Sequence, residues 1–302
     1  MGLFGKKSQG ASEDSALLKR GEASLSHKSF SMTVGQLEHA LLKEFPAEDA
    51  LDWDRTGLLV GNRAVPLRRV AVALDVTPAS IAEAAARGAQ VLVTHHPAYL
   101  GAPDSFEPEA SAALCSGANV WAAINQGVAL MNFHTALDVS PKAATVLPQM
   151  LNLKFTGKFV EPLASSRKKG FGQVCEIAES EEEMLGNLAA RCLAVFGRVP
   201  RVWGNPDTRI SSVVTTTGSA NSLATEALKH GADVLICGEL KYHEALDVSQ
   251  AGMAVIELGH DVSELPLVAV LADAIVCVGV PAEALVVVNQ SHNWWTPEAT
   301  RV

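Results

Sequence analysis

Apolar positions along this chain fall into two registers, one helical and one extended. From Thr33 onward Val34, Leu37, Ala40, Leu41 and Phe45 recur at helical spacing behind a threonine cap, and Pro46 ends the run. Arg69 to Leu74 and Val91 to Thr94 are short continuous apolar runs, the pattern of strands buried on both faces. A helical stretch from Ser80 to Arg87 and a Gly88-Ala89 turn join them, with Asp75-Val76-Thr77-Pro78 as the cap. The unit reads β-α-β, which predicts a parallel, right-handed crossover. After a polar loop from Gly101 to Pro108, a helix through Ala110 to Leu114 leads into a second strand within Gln126 to Asp138, which also ends in candidate chemistry.

Past Leu151 the pattern changes. Lys154 to Lys169 reads as a polar connection bearing Pro and Ser, hence a lobe boundary. Gly170 to Ile177 predicts a strand, and Ser180 to Phe196 a helix whose acidic first turn, Glu181 to Glu183, suits the helix dipole. Val213 to Thr217 predicts a strand running into a Gly218-Ser219 turn, which by itself reads as plain turn geometry. Met1 to Ser31 carries Ser, Lys, Glu and Gly with little apolar periodicity and is expected to be a flexible tail.

The two halves repeat one another. Ala85 to His96 and Leu228 to Glu239 both read helix end, Gly-Ala turn, apolar strand and a polar pair, so that Glu239 stands where His96 stands in the first copy. The next elements repeat as well: Gly127 to His134 with Asp138 is echoed by Gly252 to His260 with Glu264. In each copy a histidine after a strand is followed four residues later by a carboxylate. The expected architecture is therefore α/β, two pseudo-symmetric lobes with mixed sheets whose strand ends line one cleft. Residues 1–31 form the tail, 32–151 together with 250–302 the first lobe, and 152–249 the second.

That cleft would gather His95, His96, His134, Asp138, Glu239, His243, His260 and Glu264. Adjacent histidines on a regular strand diverge, but at a strand end loosened by Pro97 they can converge. Imidazoles and carboxylates without thiolate suit Zn, Fe(II), Mn or Co, and more donors are present than one tetrahedral ion needs. Two divalent ions, held in a cleft between the lobes, are the economical expectation, and such pairs serve hydrolysis. Glu239 and His243, four residues apart at a helix start, are the candidate catalytic proton carriers.

Composition narrows the partners. The 302 residues carry 24 Lys and Arg against 33 Asp and Glu, a formal net charge of -9, which argues against a generic nucleic-acid or anionic-membrane partner. Five scattered cysteines (Cys115, Cys175, Cys192, Cys237 and Cys277) without CxxC spacing suit a reducing compartment, and no apolar stretch is long enough to cross a bilayer, so the expected location is cytoplasmic.

A series of motifs occurs in order: Trp53-Asp54 before Gly57-Leu58; Thr94-His95-His96-Pro97; His134-Thr135-Ala136-Leu137-Asp138; Gly231-Ala232-Asp233 leading to Gly238-Glu239 and Tyr242-His243; and Gly259-His260 with Ser263-Glu264. Over roughly Phe30 to Val288 the chain resembles the NIF-three-like family, whose members carry the name GTP cyclohydrolase 1 type 2 homologues. The resemblance implies a dinuclear site with His95, His96, Asp138, His260 and Glu264 as ligands, Glu264 bridging, and a toroidal homohexamer built as a trimer of dimers. It also implies a metal-dependent hydrolase of a nucleotide-like or phosphorylated small molecule. A non-enzymatic metal-binding or metal-trafficking scaffold is the alternative, distinguished by whether the site faces a solvent-accessible cleft. Arg55 and Ala136 stand where the family usually has Asn, and Pro141-Lys142-Ala143 replaces its Gly-rich turn after Asp138; all three alter the cleft rim rather than the ligand set.

Overall fold

The computed structural model describes residues 31–108, 116–177, 182–295 and 297. The expected tail up to residue 30 and the helix expected through Ala110 to Leu114 lie outside them. Helix α1 (Val34–Glu44) starts at a reciprocal capping box: Thr33 accepts from the Gln36 amide, and the Thr33 amide donates to the Gln36 side chain. Strands β1 (Gly57–Val60) and β2 (Val70–Ala73) follow, then α2 (Pro78–Ala86), β3 (Val91–Thr94), α3 (Ser116–Gln126) and β4 (Ala129–Asn132). Strands β2, β3 and β4 are parallel neighbours, β1 closes one edge antiparallel to β4, and β13 (Leu285–Val287) closes the other edge parallel to β2.

Every residue of β2, β3 and β4 is buried because both faces of this sheet are covered. The pleat divides them between two cores. Val70, Val72, Val91, Val93 and Met131 pack toward α1 and the long helix α9 (His260–Cys277), while Ala71, Ala73, Leu92 and Leu130 pack toward α2 and α3.

Helices α4 (Thr135–Asp138) and α5 (Ala143–Met150) carry the chain to the second sheet. Its strands are β5 (Lys154–Pro162), β6 (Gly170–Glu176), β8 (Arg201–Trp203), β10 (Ser212–Thr215), β11 (Val234–Cys237) and β12 (Ala254–Glu257), in the order β5-β6-β10-β11-β12-β8. The parallel trio β10-β11-β12, with crossover helices α7 (Asn221–Lys229) and α8 (Tyr242–Gln250), reproduces β2-β3-β4 with α2 and α3. The internal repeat is thus a repeated β-α-β-α-β unit. A two-stranded ribbon of β7 (Glu183–Met184) and β9 (Arg209–Ile210) flanks α6 (Leu185–Phe196).

The structure corrects three expectations. Residues 154–162 of the supposed polar connection form β5, an edge strand hydrogen-bonded to β6; its alternation was hidden by Lys154 and Lys158 on the solvent side and by the bulge between Phe155 and Lys158. The helix expected from Ser180 begins at Leu185, because Glu183 and Met184 pair with β9 instead. The second lobe does not end at 249: β12 pairs with β11 and β8, so the chain returns to the first lobe only through α9. Among the described residues no helix is long and apolar enough to cross a membrane.

A buried carboxylate braces the end of the second sheet. Glu257 is 5% exposed and accepts hydrogen bonds from the Leu240 amide at 2.9 Å, the Trp203 indole at 2.7 Å and the Arg201 guanidinium at 2.5 Å. Burial alone would raise its pKa, but these donors outweigh burial and hold it below the usual 4.5. A folded-state pKa below the unfolded one stabilises above the unfolded value and loses that contribution as pH falls through the folded value. Glu257→Gln is expected to cost about 1–3 kcal/mol at pH 7. In urea unfolding, the gap between the native chain and this variant should narrow on moving from neutral pH to below the carboxylate range.

Candidate metal centre

The ends of the duplicated strands meet. At the end of β3, Thr94 turns its hydroxyl back onto the His96 carbonyl at 2.7 Å, and the rings of His95 and His96 come together with centroids 4.9 Å apart. His134 follows β4 at the start of α4, its ring 5.1 Å from His95 and 5.4 Å from His96. From the second lobe, His260 opens α9 after β12, and Glu264 lies one helical turn on, its Oε2 3.2 Å from His260 Nε2.

Each of the four imidazoles is oriented in the same way. A carbonyl can only accept, so His95 Nδ1 donates to Phe133 at 3.2 Å, which leaves Nε2 with a free lone pair. His96 Nδ1 meets Asp75 at 2.7 Å, His134 Nδ1 meets Asp54 at 3.0 Å, and His260 Nδ1 meets Glu239 at 3.0 Å. Acceptors behind Nδ1 are the arrangement that holds metal-ligating histidines in register with Nε2 forward. Asp54 is itself fixed, its side chain fully buried and bonded to the Thr135 amide and hydroxyl. Burial would raise its pKa, but His134 and Thr135 bring it down to about 2.

Glu264 is the focus, 3% exposed, with its oxygens 3.0 Å from His96 Nε2 and 3.7 Å from His95 Nε2. Burial opposes its charge, yet His260, His95 and His96 hold its pKa well below the carboxylate range. Despite these neighbours, the buried Nε2 of His95 has no hydrogen-bond partner, its nearest carboxylate oxygens lying 3.6 and 3.7 Å away. An inward-facing polar atom left unpaired in a buried cluster is what a coordinated cation would satisfy.

Two groups of donors have the spacing to hold a metal ion: His95, His96 and His134, and His96, His260 and Glu264. Asp138 belongs to neither group but adjoins them, with Oδ1 3.6 Å from His95 Nε2 and 3.5 Å from the Thr217 hydroxyl, and burial raises its pKa. Glu239 is brought to the cluster behind His260. His243 is not: it is exposed in the first turn of α8, and its ring lies against Tyr242.

Several partners were not legible as such. Asp75 reads as a helix cap, but Thr77 and Ser80 do the capping and the Asp75 carboxylate serves His96. Asp54 appears in the sequence only as part of the Trp53-Asp54 motif, with nothing to pair it with His134. Gly218 reads as an ordinary turn, yet at φ +61° it lies against the cluster, and a Cβ there would fall 2.2 Å from Glu264 Oε1. Its amide donates to Ser263 at 2.9 Å, tying the β10 end to α9. Thr216 to Leu223, Trp53, Phe171 and Glu161 line a cleft of about 570 Å³ that has His134, Asp138, His260 and Glu264 in its wall.

Fold and site together define a two-lobed α/β protein whose histidine and carboxylate cluster lies between duplicated halves. The Duf34/NIF3 (NGG1p interacting factor 3) family model matches residues 32–288, and the chain belongs to that family. It is 29% identical over 227 residues to a GTP cyclohydrolase 1 type 2 homolog of Streptomyces coelicolor, covering 74% of this chain and 78% of that one. It is 25% identical over 238 residues to NIF3-like protein 1 of Drosophila melanogaster, covering 76% and 78%. Staphylococcus aureus protein SA1388 has the same fold, with a TM-score of 0.76 at 21% identity over 88% of this chain and 99% of that one. HcgD of Methanocaldococcus jannaschii superposes with a TM-score of 0.70 at 18% identity, over 86% and 98%.

Two outcomes test the geometry. Without metal, His96 is raised to about 10 and His260 to about 9; burial opposes the first and the facing carboxylates outweigh it, while Glu264 leads the second. Both are therefore protonated at pH 7.5 and must lose those protons to become ligands, so zinc binding should release protons and tighten as pH rises toward 9. Calorimetry in buffers of different ionisation enthalpy reads the release. Gly218→Ala should push Glu264 aside and lower bound metal by more than half, read by elemental analysis, while circular dichroism stays native.

Proposed function

We propose that this chain is a metal-dependent hydrolase of a nucleotide-like or phosphorylated small molecule, in which His95, His96, Asp138, His260 and Glu264 would hold two divalent ions. The observation that carries this reading is the common orientation of the imidazoles: each Nδ1 is engaged from behind, and those of His95, His96 and His260 present Nε2 to one buried carboxylate. The names of its bacterial relatives, GTP cyclohydrolase 1 type 2 homolog, agree with a hydrolytic role. Bound cations would supply Lewis-acid polarisation of a substrate oxygen and would favour ionisation of water at neutral pH.

The chain's own residues do the rest. His134, backed by the ionised Asp54, is held facing His95 and His96 beside the cleft. Glu239 keeps His260 turned inward and, with a half-exposed side chain, sets a carboxylate on the solvent side of the cluster where it can exchange protons with water. The Thr217 hydroxyl stands 3.5 Å from Asp138 Oδ1. The lobes screen the cluster on the first-lobe side, where His95 is completely buried, and leave it open through the cleft, where His260 is 38% exposed. An accessible face favours turnover over storage.

Elemental analysis of the purified chain is expected to give close to two divalent ions per chain, and Glu264→Ala fewer than half of them. A panel of nucleotides and phosphoesters should show turnover that chelation abolishes and added zinc, iron, manganese or cobalt restores. Full metal retention by Glu264→Ala would remove Glu264 from the ligand set.

A further inference from the structure

The cleft has features that the cation cluster does not use. Trp53 is 56% exposed, and what sets it apart from the other exposed tryptophans is that it lines the cleft beside the cluster. Its indole meets His134 edge-on with centroids 5.8 Å apart, so a flat ring laid on its open face would sit next to the cluster. Phe171 supplies a second aromatic surface. Thr216, Thr217, Ser219 and Ser222 line the cleft with hydroxyls and Asn221 with an amide, a wall suited to the hydroxyls of a sugar.

The charges are one-sided. Asp138, Glu161 and Glu264 line the cleft, and among the described lining residues there is no Lys and no Arg. Chains of phosphates are ordinarily gripped by those two cationic side chains. Here compensation would come from the cations, already shared with Asp138 and Glu264, and from the first turn of α7, whose Asn221 to Leu223 line the cleft, which suits one phosphate better than a triphosphate. The Glu161 carboxyl in the same lining offers a hydrogen-bonding group to the edge of a heterocycle.

We propose that the ligand of this cleft is a nucleoside or nucleoside monophosphate whose base stacks on Trp53, and that nucleoside triphosphates are discriminated against. The inference rests on the metal-dependent reading above and narrows its substrate class.

The test uses the full chain reconstituted with zinc, its metal content measured before any ligand is added. Calorimetric titration then compares adenosine and guanosine, their 5′-monophosphates and their 5′-triphosphates, with bound metal measured again afterwards so that chelation is separated from binding. The monophosphates should bind at least about ten-fold more tightly than the triphosphates. Trp53→Ala should weaken monophosphate binding about ten-fold at unchanged metal content, and Trp53→Phe should restore most of it. Triphosphates binding as well as monophosphates, an unaltered Trp53→Ala variant, or no binding by a fully loaded chain would each overturn the proposal. A chain that takes up no zinc overturns the metal-dependent reading itself and the proposal with it, and the first metal measurement identifies that case.

Discussion

A carboxylate buried among imidazoles governs this structure. Moving an ion such as the Glu264 side chain out of water costs several kcal/mol even after relaxation, about the size of a domain's whole margin of stability. The fold accepts this because the charge lies where the ends of the two parallel strand trios face each other and three histidines surround it. In the metal-free chain those histidines compensate by holding protons, as the raised values of His96 and His260 show. A cation would take over that role, and the orphaned Nε2 of His95 together with the Glu264 carboxylate would engage it. The same group therefore links folding stability, proton content and metal affinity.

Duplication explains why such a cluster could be assembled, and its asymmetries explain how it is tuned. The parallel trio of each lobe ends in equivalent loops, so that His96 and Glu239 are counterparts, as are His134 with Asp138 and His260 with Glu264. Yet the counterparts do different work. His96 faces Glu264 directly, whereas Glu239 stands behind His260 as its acceptor. Asp138 ends the four-residue helix α4 and reaches only the side of the cluster, while Glu264, with a longer side chain in the first turns of an 18-residue helix, reaches its centre.

What was legible in the sequence was whatever depends on local spacing. The buried strands, the crossover helix α2, the repeat, and the His-x-x-x-carboxylate pairs depend on local pattern and emerged in place, whereas the helix leading to β4 was expected earlier in the chain than α3 lies. What stayed hidden depends on pairs brought together by topology: Asp75 with His96, Asp54 with His134, and the missing Cβ of Gly218 against Glu264. An aspartate after a strand and a glycine in a turn have ordinary local explanations, and only the approach of the other lobe distinguishes them. Strand β5 was missed for a different reason, since an edge strand with lysines outward and a bulge inside lacks the apolar run of a central strand.

The placement of α9 shows why the site lies between the lobes and not within one of them. Its first turns carry His260 and Glu264 and pack Val262 into the core of the second lobe, while Leu267, Leu271 and Ile275 further along belong to the core of the first. One rigid element is thus anchored in both cores, and its position sets how closely the two families of strand ends approach. Gly218 reinforces this from the other side, because its amide bond to Ser263 draws the β10 end onto the helix at the point where a side chain would not fit. The spacing of the donors is therefore held by apolar packing on both sides of the cluster. A cation would enter a frame already set, needing only to displace protons from the imidazoles.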